Sequence, residues 1–127
     1  MLVTPLSNVA TDETGLVRSR SGGWPAVWKG TDPGHIGAQY DVEIDLGDCA
    51  LDVTICDCDI EDAGIRIDGG RLTAQGKVST IFDDGLLAVD LNPGTVLIEP
   101  VQPISNFLVG QMVAIFPERI EVFPTNI

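Results

Sequence analysis

The sequence predicts an all-β fold: a small antiparallel barrel or sandwich of seven to eight short strands, with an irregular N-terminal segment and at most one short helix. Three observations carry that expectation. Apolar and polar residues alternate in several runs from Gln39 onward, turn-forming residues separate those runs at near-regular spacing, and no stretch keeps a 3.6-residue period. At 127 residues the chain is close to the commonest single-domain length. We therefore expect one domain, with residues 1–37 packed on a β domain spanning 38–127.

Residues 1–37 are rich in Gly, Pro, Ser and Thr, most densely in SGGWPAVWKGTDPGHIG, and are read as irregular. The first strand is YDVEIDL, where Val42, Ile44 and Leu46 face one way and Asp41, Glu43 and Asp45 the other. LDVTICDC follows, with Leu51, Val53 and Ile55 on one face and Thr54, Cys56 and Cys58 on the other. GIRID ends at the Gly69-Gly70 turn. RLTAQGKVSTIF and LLAVDL flank the hairpin turn DDG, Asp83 to Gly85. Gly76, in the middle of a long strand, marks a sharp bend and favours a barrel. NPG at Asn92 to Gly94 leads into TVLIEPV, and QMVAIF pairs with RIEVFP around Pro117 and Glu118. QPISNFLVG is the one place for a short helix.

Nineteen Asp and Glu oppose seven Lys and Arg, a formal charge of −12, which repels phosphate backbones and anionic membranes and attracts basic partners. Nucleic acid and membrane are excluded as partners on that ground. Ten of the acids lie between Asp41 and Asp68, where Arg66 is the only base. The N-terminus lacks the basic start and apolar core of a signal peptide, and no run reaches the roughly 20 apolar residues of a membrane helix. The expected location is cytoplasmic. Three cysteines, an odd number, fit that compartment as free thiols.

Catalytic and metal motifs fail on spacing. Cys49, Cys56, Cys58 and the single His35 have the composition of a zinc site, but Cys56 and Cys58 are two apart in a strand pattern, not on a knuckle. Asp57 to Asp68 puts carboxylates at positions 1, 3, 5 and 12 of a calcium loop, yet Asp62 stands where the loop needs Gly. GGRLTAQGKVST has one residue too many between its glycines for a phosphate loop. No nucleophile motif accompanies His35, and the acids alternate with apolar residues as exposed strand positions do. The reading is a non-enzymatic protein without cofactor or metal.

YDVEIDL, DDGLLAVDL and VGQMVAIFPERIEVFP together resemble small bacterial β-domains among the immunity proteins of toxin systems, over about Gln39 to Pro124. The resemblance implies an inhibitor that covers a basic toxin, often a nuclease, with an acidic surface. Its contact residues would be Asp41, Glu43, Asp45, Asp57, Asp59, Glu61 and Asp62, with Trp24 or Trp28 as an aromatic anchor; the residues themselves favour the alternative that both indoles are buried beneath the N-terminal segment and pin it to the domain. Two alternatives stand beside it: a phage-type inhibitor mimicking nucleic-acid charge, and a small metal-binding or carboxylate-based enzyme.

Overall fold

The computed structural model describes residues 1–125. Its strands are β1 (Leu2–Pro5), β2 (Thr14–Ser19), β3 (Gly22–Trp28), β4 (Tyr40–Asp45), β5 (Val53–Ile55), β6 (Gly64–Asp68), β7 (Arg71–Ile81), β8 (Leu87–Asp90), β9 (Thr95–Ile98), β10 (Met112–Ile115) and β11 (Glu121–Pro124). The all-β expectation holds, with more strands than the seven or eight expected. Two 3₁₀ turns, Ile60–Asp62 and Ile104–Asn106, are the helical elements among the described residues, and the second falls within QPISNFLVG.

Strands β1, β2, β3, β11 and β4 close a barrel in that order. Three of these strands come from residues 1–37, so the irregular N-terminal segment is a misreading. The period-two signal is present in GGWPAVW, where Trp24, Ala26 and Trp28 are buried between less buried neighbours, but Gly and Pro obscure it. Pro25 is tolerated because the missing N–H has no ladder position to fill. Its partner Leu16 gives its carbonyl to Leu6 N at 2.9 Å, away from β3. On the other edge, β11 is in register only with Val27 and Trp28.

The expected pairing of QMVAIF with RIEVFP also fails. β10 lies between β5 and β7, whereas β11 runs antiparallel to β4 and parallel to β3. No residue from Phe116 to Arg119 takes the positive φ of a two-residue hairpin turn. The chain instead crosses to the barrel, where Val27 N donates to Ile120 O at 2.8 Å and Lys29 N to Val122 O at 2.9 Å.

The second sheet has the order β5-β10-β7-β8-β9, with β6 also on β7. β10 occupies one edge of β7, while β6 (opposite Arg71–Gln75) and β8 (opposite Lys77–Ile81) share the other. Gly76 lies where one partner gives way to the next, and a Cβ there would stand 2.7 Å from Val89 Cγ1 and against the Asp90 carbonyl oxygen. The Gly69-Gly70 turn forms as expected, both residues at positive φ (58° and 79°) that side chains disfavour. A parallel bridge between Leu51 and Pro100 joins the approach to β5 with the exit from β9, curling the sheet back on itself.

Buried side chains of barrel and sheet form one contiguous cluster, from Val3, Trp24, Trp28 and Val122 to Ile65, Val78, Leu87 and Ile115. β5 is shorter than LDVTICDC led us to expect. Leu51 and Val53 are buried, but Ile55 is 56% exposed, because the strand ends there.

Candidate partner-binding surface

β4 alternates as its sequence dictates. Val42 points into the barrel, Asp41 and Glu43 are exposed, and Ile44 and Asp45 are half-buried. Asp41 pairs with the Met1 amino group at 3.1 Å. Asp45 Oδ1 accepts from Gly47 N at 2.8 Å, which shapes the exit of the strand and turns Asp48 to the same side.

β9 packs beside β4. There, Glu43, Ile44, Asp45 and Asp48 join Leu97 and Phe123 around a shallow hollow of about 500 Å³. Leu97 is 60% exposed and Phe123 37%. Among the described residues none of the three carboxylates is in an ion pair, and no Lys or Arg lines the hollow. An exposed apolar floor inside a charged rim has the anatomy of a protein interface.

The other acidic group sits on the link from β5 to β6. Asp57, Asp59, Glu61 and Asp62 are exposed, and none of them lines that hollow. Part of this group has structural work. Asp62 Oδ2 accepts from Asp59 N at 3.2 Å, and the Asp62 carbonyl accepts from Arg66 Nη2. The structure thus divides the seven acids into two groups.

Trp24 and Trp28 are 0% and 1% exposed, so the aromatic-anchor reading is overturned. Trp24 Nε1 donates to Ser19 Oγ and Trp28 Nε1 to Asp32 O, both at 2.9 Å. Trp28 also stands edge-on to Tyr40, with ring centroids 4.9 Å apart. Each indole is held as buried indoles are, body in the core and N–H satisfied.

The cysteines also differ from expectation. Cys56 and Cys58 are joined in a disulfide, their Cα atoms 5.6 Å apart within the usual span, while Cys49 is free and exposed. Side chains two apart in extended backbone share a face, which brings the sulfurs together. The expected three free thiols are thus one free thiol and one joined pair. No described helix is long and apolar enough to cross a membrane. Among the described residues no group of three or more His, Cys, Asp or Glu is placed to hold a metal ion.

Asp48, Leu97 and Phe123 were missed as site residues. Their signal was present: Leu97 in TVLI and Phe123 in EVFP fall on the outward parity of alternating strands. Comparison with protein-family models, curated proteins and solved structures gives no match for this chain.

Proposed function

We propose that the protein is a non-enzymatic binding module that holds a basic protein partner against the β4-β9-β11 face, as an immunity or inhibitor protein of a bacterial toxin would. The observation carrying this reading is the ring of Glu43, Asp45 and Asp48 around exposed Leu97 and Phe123 and half-buried Ile44. Buried apolar contact supplies affinity, and unpaired carboxylates steer and orient a Lys- or Arg-rich surface. The net charge of −12 adds long-range attraction of the same sign.

The test is capture of a partner from the host with the wild-type chain and with an E43K/D48K/L97D variant. Asp45 is left in place because it shapes the turn at Gly47. We expect a basic protein on the wild type, an on-rate that falls as salt rises, and at least a 100-fold weaker complex with the variant. Equal capture by a folded variant refutes the assignment of this face.

A further inference from the structure

A second cleft has the opposite chemistry. It lies at the seam between barrel and sheet, with the outer faces of β1 and β2 on one side and Ala63, Gly64 and the Leu91–Pro93 turn on the other. Its volume is about 420 Å³, within the usual range for small-ligand sites of roughly 300–1,000 Å³. No Asp or Glu lines it, in a chain with nineteen of them, whereas two of the seven basic residues, Arg18 and Arg20, do.

Neither arginine is in an ion pair among the described residues. Arg18 stands between Thr4 and Gly23 across the ladder, so no side chain crowds it from β3. Arg20, in the two-residue turn between β2 and β3, reaches across the cleft and donates from Nη2 to Asn92 O at 2.9 Å. A guanidinium has five N–H donors, so most of them stay available to a ligand. Two free guanidiniums facing one concavity match a carboxylate or phosphate.

The cleft is also held rigid. Buried Trp24 donates from Nε1 to Ser19 Oγ, which lies 3.3 Å from Ser21 Oγ, and Ser21 Oγ donates to Ile65 O at 2.5 Å. This chain of hydrogen bonds ties the arginine-bearing hairpin to β6. It also occupies both serine hydroxyls, leaving recognition of the anion to the arginines, Thr4 and Gln39. Leu2 and Pro93 supply exposed apolar wall beside them, with the buried Ala63 and Leu91 behind. A preorganised site loses less on binding than one that must order itself.

We propose that this cleft binds a small organic anion, its oxyanion head on Arg18 and Arg20 and its apolar body along Leu2 and Pro93. The site shares no residue with the acidic hollow and stands whether or not a basic protein binds there. The test is a nuclear magnetic resonance titration of the isotope-labelled chain with hexanoate, hexyl phosphate, acetate and inorganic phosphate. We expect saturable shifts centred on Arg18, Arg20, Leu91 and Asn92, with at least one hexyl ligand tenfold tighter than its bare anion. Which hexyl ligand binds tells a carboxylate site from a phosphate site.

R18Q/R20Q should weaken binding at least tenfold with the Trp24 indole signal unchanged. L2E, at a half-exposed position, should do the same by placing a carboxylate in the cleft. Shifts centred elsewhere, bare anions binding as tightly as hexyl ones, or full binding in either folded variant overturns the proposal.

Discussion

Replacing Gly76 by alanine tests the crossing of β7 over the end of β8. The new methyl group would lie 2.7 Å from Val89 Cγ1 and 3.0 Å from the Asp90 carbonyl carbon, with the oxygen nearer still. Val89 can turn aside. The Asp90 backbone cannot easily follow, because Asp90 is in register with Lys77 and its Oδ1 accepts from Asn92 N at 2.8 Å. Overpacking of this kind costs roughly 1–3 kcal/mol, and a backbone obstacle puts it near ~3 kcal/mol. Alanine restricts the unfolded chain more than glycine does, which returns about 0.4–1 kcal/mol. The net loss is about 2 kcal/mol. With an unfolding entropy of about 2.1 cal/mol/K per residue, the expected fall in Tm is about 8 °C. Urea unfolding followed by tryptophan fluorescence reads it as a lower midpoint at unchanged slope. Unchanged or increased stability of G76A would refute the close approach of β7 to β8 and with it the reason for glycine here.

Trp24→Phe should cost about 1–3 kcal/mol by denaturant unfolding, since it removes core volume and leaves Ser19 Oγ without its donor. Asp62→Ala should cost about 0.5–1 kcal/mol, because it frees the Asp59 N–H at the start of the 3₁₀ turn, whereas Asp57→Lys should change stability by less than ~0.5 kcal/mol. Lys29, with Asp12 at 2.7 Å and Glu121 at 3.7 Å, has its pKa raised first by the hydrogen bond and charge of Asp12. A raised folded pKa means that the pair's stabilisation is fully present below the unfolded value of about 10.4 and is lost as pH rises through the folded one. Lys29→Met should therefore lower Tm at pH 7, and the gap should narrow above pH 11; a gap independent of pH points to lost packing of the lysine stem instead.

Local patterns located most strands from Tyr40 onward, because alternation and turn chemistry act over a few residues. YDVEID, GIRID and LAVD are strands within a residue or two of their apolar runs. In GGWPAVW the local signals conflict, since Gly and Pro argue for a loop while the indole spacing argues for a strand. The neighbouring strands decide, by burying Trp24, Ala26 and Trp28 on one face. The acidic face was half legible. Parity put Glu43 and Asp45 outside, but their company with Leu97 and Phe123 depends on β9 and β11 arriving beside β4.

By itself the sequence determined the all-β class, the outward set of acids on β4 and the turns that join β6 to β9, all properties of short windows of chain. Only the tertiary structure decided that β11 seats between β3 and β4, that the tryptophans lie on a strand of the barrel, and that Arg18 and Arg20 share a cleft free of carboxylates. The physical reason is distance along the chain. Residues 18, 20, 63 and 92 meet through pairings whose partners lie tens of residues apart, and no period or spacing in the sequence encodes which surfaces the folded core brings together.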